Sequence, residues 1–343
     1  MIKEQEMRQM WCEEPRQLEM RTRPIFEVGD DDVLVKVAYT GICPWDVRAF
    51  TGKSSVAFPR VLGHECVGKV AEIGSNVKYL EVGQAVAADF IVKCGRCAAC
   101  RRGLSNRCQH PIYQQYGGGY ADYIRIPQSN IYPLQPETSL KAAAFMEPLA
   151  CVVRGQNGLH VKPGEVQIIV GLGPIGLMHM QVARSFGAKT IAVDLIQARV
   201  DKAKELGADW AVNAQETDVA ASVKEVTDGW GADTGVVAVG SARLVEQTLP
   251  MLAPAGRLNI FAGIYPKDEL HIDPNLIHYQ EYVLTGSADS TPQDNFQSLK
   301  LIEDGHVNTE SLISHLLPLE ELGKGFEIVK NAQGLKVMME INP

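Results

Sequence analysis

The feature that most restricts the possible folds is a glycine-rich turn between a predicted strand and a predicted helix. The apolar run QIIV precedes Gly171, Gly173 and Gly176, and the helical pattern PIGLMHMQVARS follows. Glycines at this spacing permit a tight turn, let a pyrophosphate reach the helix N-terminus, and allow the helix to pack closely on the strand. The turn, which also contains Pro174 and Ile175, predicts a dinucleotide-binding βαβ unit.

An acidic residue after the next strand extends this interpretation to the identity of the cofactor. Asp194 closes the apolar strand TIAVD, roughly 20 residues beyond the glycines, where a carboxylate accepts hydrogen bonds from the adenosine ribose hydroxyls. That carboxylate would repel a 2′-phosphate, so it favours NAD over NADP. Arg199 is expected near the same ribose and leaves NADP tolerance open. The alternative is a packing turn without a ligand, which the strand-turn-helix context disfavours.

The order of the predicted elements divides the chain into two regions. From residue 166 onward, apolar strands alternate with helical segments, which predicts a doubly wound parallel sheet of the α/β class. Earlier residues contain short β-rich runs at 33–42, 66–73 and 84–92, which predict a β-dominated domain. A helical segment and the strand KVMMEIN follow residue 286, and we expect this tail to return to the first domain. The length of 343 residues favours two domains.

Four cysteines in one segment form the strongest metal-binding motif. They have the spacing C-x2-C-x2-C-x7-C and are Cys94, Cys97, Cys100 and Cys108. Zn²⁺ prefers four thiolates at tetrahedral corners, and two-residue gaps let a tight loop direct successive sulfurs to one centre. Since a shell of four protein ligands leaves no position for substrate, the predicted zinc is structural. An iron–sulfur cluster or four free thiols are the alternatives.

A second candidate metal site is dispersed along the chain. It comprises Cys43, the consecutive residues His64 and Glu65, and Glu147. Taken alone, each residue is more often packing or solvated surface. Together, one thiolate, one imidazole and one or two carboxylates suit a zinc ion with an open position, where an alcohol would lose its proton more easily. The set therefore predicts a catalytic zinc.

Composition excludes several classes of partner. The formal net charge of -8 repels polyanions. No apolar run approaches the roughly 20 residues of a membrane span, and the charged N-terminal residues lack the apolar centre of a signal peptide. The eight cysteines are more consistent with metal ligands or buried thiols than with disulfides. We expect a cytoplasmic protein with no nucleic-acid or membrane partner.

With these motifs, the chain resembles the zinc-dependent medium-chain dehydrogenase/reductase family over nearly its whole length, most closely its sorbitol and threonine dehydrogenase branch. The segments YGGGYADY at 116–123 and VDLIQARVDKAKELGAD at 193–209 add to the resemblance. It implies that Cys43 and His64 bind catalytic zinc. Glu65 is implied as a ligand or as alternating with water, and Glu147 as a ligand or a partner of the zinc-bound water.

The resemblance also implies a fold and an assembly. A GroES-like catalytic domain is expected at 1–152 and 287–343, with the structural zinc lobe at 94–108. A Rossmann NAD-binding domain is expected at 153–286 between its two parts. Family members assemble as homodimers or homotetramers, in part by extending the Rossmann sheet, for which GRLNIFAGIY and EYVLTG are candidate edge strands.

The sequence departs from the family pattern beside Cys43. Many relatives have Ser or Thr two residues after this cysteine and His three residues later, and these relay the alcohol proton. Trp45 and Arg48 stand at those positions and are expected to shape the substrate pocket, because neither side chain is an effective base. Asp46 is expected to orient His64 or the loop. The proton route stays open among Glu65 or Glu147, another hydroxyl such as Thr51 or Tyr113, and water alone.

The resulting functional prediction is an NAD-dependent zinc dehydrogenase that oxidises a secondary alcohol of a polyol, sugar acid, cyclitol or similar polar molecule, with one catalytic and one structural zinc per chain. An L-threonine 3-dehydrogenase is the alternative within this class. A non-catalytic NAD-binding protein, crystallin-like or a sensor, is the alternative outside it. The retained dispersed zinc set argues against the latter.

Overall fold

The computed structural model describes residues 6–112 and 117–343. The chain divides into two compact units. The first contains Met1–Pro148, Thr291–Glu303 and Thr309–Pro343, and the second contains Leu149–Ser290 and Asp304–Asn308.

Up to residue 159, the described part of the chain forms eight strands and four α-helices. The strands are β1 (Glu6–Glu14), β2 (Gln17–Pro24), β3 (Asp32–Gly41), β4 (Arg60–Val61), β5 (Glu65–Ile73), β6 (Ala85–Asp89), β7 (Tyr123–Pro127) and β8 (Ile131–Pro133). The helices are α1 (Pro44–Phe50), α2 (Ala98–Arg101), α3 (Leu140–Ala143) and α4 (Met146–Leu159).

Strands and helices then alternate through the second unit. The strands are β9 (Val166–Val170), β10 (Lys189–Asp194), β11 (Trp210–Asn213), β12 (Ala232–Val237), β13 (Leu252–Ile260) and β14 (Val283–Gly286). The helices are α5 (Pro174–Ser185), α6 (Gln197–Glu205), α7 (Val219–Val226), α8 (Ala242–Thr248) and α9 (Pro274–Gln280).

The last elements lie in the first unit. They are α10 (Pro292–Glu303), β15 (Ile313–Pro318), α11 (Leu322–Lys330) and β16 (Lys336–Glu340).

The first unit contains two sheets. One has the strand order β2-β1-β4, and the other has the order β15-β16-β3-β5-β6-β8, with β7 also paired to β3. At the end of β3, Gly41 is opposite Met338 of β16 on one side and Glu65 of β5 on the other. The register therefore brings the C-terminal strand next to the His64-Glu65 segment.

Strand β3 shows why the sequence forms a two-faced core here. Val33, Val35 and Val37 are at most 1% exposed and belong to the main hydrophobic cluster of the unit. Leu34 points to a second cluster that contains Met7 and Tyr123. Because consecutive side chains of a strand point to opposite faces, a continuous apolar run is what a strand covered on both faces requires.

The second unit contains a six-stranded sheet in the order β11-β10-β9-β12-β13-β14, with every pairing parallel. The order runs outward in both directions from β9, the strand that enters the glycine-rich turn. Ligands of doubly wound folds bind at such a reversal, beyond the carboxyl ends of the strands. The α/β fold class predicted from the alternation is confirmed.

None of the helices in the described part of the chain is both long enough and apolar enough to cross a membrane.

Candidate metal and cofactor sites

Two clusters of potential metal ligands occur within the described residues, and both lie in the first unit. In each cluster, one ligand atom per residue lies within 4.8 Å of the corresponding atom of every other member. The clusters are Cys43, His64 and Glu65, and the four cysteines Cys94, Cys97, Cys100 and Cys108. We call them the dispersed site and the four-cysteine lobe.

Cys43 is positioned by the start of α1. It is the N-cap residue, Pro44 follows at the first helical position, and Asp46 completes a capping box. The Trp45 backbone N–H donates to Cys43 Sγ at 3.4 Å, and the Cys43 N–H donates to Asp46 Oδ2 at 3.1 Å. The sequence CPWD is thus a helix start that holds the thiol at the helix entrance.

His64 lies beside the buried carboxylate of Asp46. Its Nδ1 lies 3.3 Å from Asp46 Oδ1, which leaves Nε2 as the nitrogen available for a metal ion. Burial opposes protonation of His64, but the Asp46 charge and hydrogen bonding with Asp46 and Cys43 raise the imidazole pKa well above its usual value. The expected orienting role of Asp46 agrees with this contact and stays a prediction.

Asp46 is itself held by three further donors. Besides the Cys43 N–H, Tyr120 Oη donates to Oδ2 at 2.9 Å, and the Gly63 N–H donates to Oδ1 at 3.3 Å. Asp46 and Tyr120 are fully buried. Burial acts to raise the Asp46 pKa, but the His64 charge and these hydrogen bonds lower it overall. The carboxylate is therefore fixed in the ionised state that can orient His64.

Glu65 contributes a buried carboxylate that contacts a lysine from β16. Its side chain is 2% exposed and forms an ion pair through Oε2 with Lys336 Nζ. Burial raises the pKa of the Cys43 thiol, and the charges of Glu65 and Asp46 add to this, while the hydrogen bond with His64 opposes it. Because burial and these carboxylates oppose ionisation of Cys43, a bound cation would be needed to stabilise its thiolate.

Glu147 lies in the first turn of α4, outside the 4.8 Å cluster. Burial raises the pKa of its carboxyl to about 7, with Glu65 and Asp89 raising it further and His64 and Lys336 lowering it. Glu147 is therefore a carboxyl group with a pKa near neutral pH, and this pKa responds to the charges of the dispersed site.

Trp45, one of the two residues that depart from the family pattern, packs against His64. The rings of Trp45 and His64 are 5.8 Å apart in an edge-to-face arrangement. The Arg60 guanidinium lies over the Trp45 ring, 6.0 Å from its centroid. The Thr51 hydroxyl donates to the Val47 carbonyl at 2.8 Å, so it caps α1.

Arg48 and Tyr113 were also named in the sequence analysis. Arg48 lies in the last turn of α1 and is half-buried. Tyr113, a candidate for the proton route, lies outside the described residues.

The four-cysteine lobe is held mainly by backbone groups. The Cys94 N–H donates to Cys108 Sγ at 3.3 Å, and the Gln109 N–H donates to Cys97 Sγ at 3.5 Å. Backbone N–H groups of Cys100 and Gln109 lower the pKa of Cys97 to about 6, whereas desolvation raises that of Cys100 to about 12. Four thiols around one centre fit a tetrahedral zinc shell.

In the second unit, the glycine-rich turn has the features expected of a phosphate-binding loop. Gly171 has φ of +95°, and a Cβ on Gly176 would collide with the Gly171 carbonyl oxygen. A Cβ on Gly173 would meet no heavy atom within 4 Å, so space is open at the N-cap of α5. The 12-residue helix, with Pro174 at its first position, directs its N-terminus to this space.

Asp194 connects this turn to the end of β10. Its Oδ2 accepts the Leu172 N–H at 2.7 Å, and its Oδ1 accepts the Ile196 N–H at 2.9 Å. Arg199 Nη1 lies 3.7 Å from Oδ2. The side chain predicted to bind ribose therefore also fixes the turn, and a cation lies beside it.

Sequence reasoning missed three residues around the dispersed site. Tyr120 stands within the quoted motif YGGGYADY, but its contact with Asp46 depends on the fold. Lys336 directly precedes the buried apolar residues of β16, which was an available sign of a buried ion pair. Arg60, four residues before His64, carried no recognisable signal.

Comparison with protein families gives two matches. Residues 29–136 match the alcohol dehydrogenase GroES-like domain, and residues 174–304 match the zinc-binding dehydrogenase family.

Individual proteins resemble the chain over nearly its full length. It is 36% identical over 325 residues to D-arabitol-phosphate dehydrogenase of Enterococcus avium, which covers 92% of each protein. It is 32% identical over 316 residues to sorbitol dehydrogenase of Halalkalibacterium halodurans, which covers 91% of the chain and 92% of the relative. The crystal structure of galactitol-1-phosphate dehydrogenase from Escherichia coli has a TM-score of 0.88 at 26% identity, covering 97% of the chain and 99% of that structure.

Proposed function

The chain belongs to the zinc-binding alcohol dehydrogenases with a GroES-like domain, and from this premise we propose that it oxidises a secondary alcohol of a polyol, polyol phosphate or sugar acid with NAD. The family makes it an enzyme of the alcohol dehydrogenase type that uses zinc and a nicotinamide dinucleotide. The observation that carries the proposal is the convergence of one thiol, one imidazole and one carboxylate in the dispersed site. The non-catalytic alternative is not favoured.

The donor set of the dispersed site suits zinc, and we assign Cys43, His64 and Glu65 to hold it, with Glu147 at its margin. When bound, zinc lowers the pKa of an alcohol and polarises a carbonyl group. The protein residues supply orientation and charge. Asp46 accepts from His64 Nδ1 and leaves Nε2 for the metal, and Tyr120 holds Asp46 in place.

Glu147 is the residue we propose to take up the alcohol proton. The Glu65 carboxylate already contacts Lys336, and the Thr51 hydroxyl donates to the α1 backbone. Burial brings the pKa of Glu147 to about 7, where a carboxyl can both accept and release a proton. Glu147→Gln should lower the rate of hydride transfer at least tenfold and leave NAD affinity and zinc content unchanged. Unchanged turnover with zinc bound would refute this role.

Trp45 and Arg60 are proposed to set substrate preference. An aromatic ring beside His64 offers a flat wall for the C–H face of a sugar chain, and Arg60 places a cation over that ring. The names of the relatives include both a sugar alcohol and a sugar-alcohol phosphate. We expect Arg60→Gln to raise KM for D-arabitol phosphate more than for D-arabitol, with Arg60→Lys intermediate. Equal changes for both substrates would remove Arg60 from phosphate recognition.

Cofactor preference is proposed to depend on Asp194 and Arg199. The carboxylate beside the turn disfavours a 2′-phosphate, whereas the neighbouring guanidinium would attract one. We expect NAD to be preferred and Arg199→Ala to widen the preference. Because Asp194 also fixes the turn, its substitution would weaken both cofactors and is a poorer test.

The proposed function is tested by a substrate panel. NADH absorbance is followed with polyols, cyclitols, polyol phosphates, sugar acids and L-threonine, before and after chelation and with His64→Ala as the metal-site control. Chelator-sensitive turnover of a polyol, polyol phosphate or sugar acid supports the proposal. Turnover of L-threonine alone would move the chain to the alternative substrate, and inert NAD binding would refute catalysis.

We also propose a homo-oligomer that uses the edge of the six-stranded sheet. β14 is the last strand of that sheet, and Val283 on it is 51% exposed. An apolar side chain on an edge strand suits pairing with a second copy. Light scattering of the wild type and of Val283→Lys tests this, with a shift toward monomer expected for the variant.

A further inference from the structure

We propose that Lys336 is a positioning residue that controls whether Glu65 binds the metal ion of the dispersed site. This inference rests on the proposed zinc site, and it assigns to β16 a role in metal coordination. The contact between Lys336 Nζ and Glu65 Oε2 carries it.

The pair is buried and belongs to the structural core of the first unit. The side chains of Lys336 and Glu65 are 7% and 2% exposed. Lys336 Nζ also lies 5.7 Å from the centroid of the fully buried Phe145 ring. Lysine is almost never buried without a partner, because removing an ammonium group from water is costly. The Glu65 charge is therefore what keeps Lys336 inside.

The pair occupies a space made by a missing side chain. A Cβ on Gly41 would collide with Glu65 Oε2 and approach Lys336 Cε to 2.7 Å. Gly41 ends β3 two residues before Cys43, and the Ile42 N–H donates to the Val337 carbonyl at 3.0 Å. In the sequence GIC, the glycine that leaves space for the ion pair is thus only two residues from the thiol of Cys43.

The carboxylate has two competing cation partners. One oxygen of Glu65 lies within 4.8 Å of Cys43 Sγ and of a His64 ring nitrogen. Oε2 is in direct contact with the Lys336 ammonium, and no other hydrogen-bond partner of this oxygen is found among the described residues. If this carboxylate moved to a metal ion, it would exchange one cationic partner for another. Lys336 therefore sets the balance between these two states.

Removal of the Lys336 charge should shift that balance to the metal. In Lys336→Met, Glu65 would be a buried carboxylate whose nearest remaining compensation is the metal ion. We expect it to become a full ligand. With Co²⁺ as the probe, the visible absorption of the dispersed site should weaken as the coordination number rises, and zinc should be held roughly tenfold more tightly against a chelator. Turnover should fall.

A double-mutant cycle separates this role from a packing role. In the Glu65→Gln variant, the side chain at position 65 has no charge and needs no cation. Adding Lys336→Met to this variant should therefore leave its cobalt spectrum and its zinc affinity unchanged. Lys324→Met removes a lysine from an exposed pair with Glu321 and serves as the matched control with wild-type values. His64→Ala identifies the signals of the dispersed site.

Each result decides the question. A Lys336→Met protein with the wild-type cobalt spectrum and zinc affinity, or with weaker zinc binding, overturns the proposal. The same change in the Glu65→Gln background also overturns it, because Lys336 would then act without Glu65. Lys336→Gln is measured in parallel and carries the same expectations if the methionine variant fails to fold. Absence of metal binding by the wild-type site would instead refute the proposed function.

Discussion

The four-cysteine lobe and the dispersed site use the same ligand atom, a cysteine sulfur, in opposite surroundings. The lobe draws all of its candidate ligands from residues 94–108, and backbone N–H groups lower the pKa of Cys97 to about 6. The dispersed site joins segments that are far apart in the sequence, and burial raises the pKa of Cys43. In the lobe, nearby backbone N–H groups thus favour the thiolate of Cys97, although desolvation raises the pKa of Cys100 to about 12, whereas the cations nearest the dispersed site, His64 and Lys336, come from distant segments.

The largest expected effect comes from removing the imidazole of the dispersed site. His64→Ala should lower kcat/KM by at least about 1000-fold, because a catalytic metal contributes several kcal/mol to transition-state stabilisation. Metal content should fall from two to one per chain, and the melting temperature should change little. Turnover near the wild-type value would show that the dispersed site is not catalytic.

Disruption of the lobe should instead lower the stability of the protein and leave its activity nearly unchanged. Cys97→Ser removes one of four thiolates, so the lobe should lose zinc and the melting temperature should fall by roughly 5 °C or more. At a temperature where the variant is folded, we expect kcat to stay within about twofold of the wild type, because the two clusters share no residue. Calorimetry and metal analysis provide the measurements. A large loss of kcat in the folded variant would contradict a purely structural role.

The orientation of His64 provides a smaller and more specific test. Asp46→Asn keeps the shape of the side chain but removes the charge that faces Nδ1. Loss of such a partner typically costs 10–100-fold in metal affinity or activity, so we expect about that effect at the dispersed site. The lobe should keep its zinc. Equal zinc loss from both sites would indicate general unfolding instead of misorientation.

The smallest expected effect concerns the Tyr120 hydroxyl. Tyr120→Phe removes one donor to Asp46, and a hydrogen bond to a charged group contributes about 1.5–3 kcal/mol. Because the Cys43 and Gly63 N–H groups remain, we expect a decrease in kcat of only about tenfold or less. Ala121, the buried neighbour of Tyr120, offers a control as Ala121→Gly. A loss as large as that of Asp46→Asn would mean that the Cys43 and Gly63 N–H groups do not hold Asp46 in place without Tyr120.

The sequence predicted those features whose residues are close together in the chain. The turn Gly171–Gly176 and its flanking strand and helix follow from local spacing, and the strand–helix alternation predicted the parallel sheet. The four cysteines lie close together in the structure, as their short spacing predicted. In each case, the physical cause acts over a few residues.

Other features depended on pairing between distant strands. The contact of Glu65 with Lys336 follows from the registers of β3 with β5 and β16, and no local pattern in KVMMEI indicates this partner. The hairpin of β1 and β2 was also missed, because the many charges of residues 6–24 hid the buried Met7, Met10 and Cys12. Ligand chemistry grouped Cys43 with His64, Glu65 and Glu147, and family resemblance added their expected roles, but neither indicated the cation beside Glu65.

The place of β16 in the chain has a consequence for the order in which the two metal sites form during synthesis. All four cysteines of the lobe are made by residue 108, so the lobe can bind zinc while most of the chain is still untranslated. Lys336 is added long after Cys43, His64 and Glu65. We therefore expect the nascent chain to carry Cys43, His64 and Glu65, the proposed zinc ligands, before the lysine that offsets the charge of Glu65 is made.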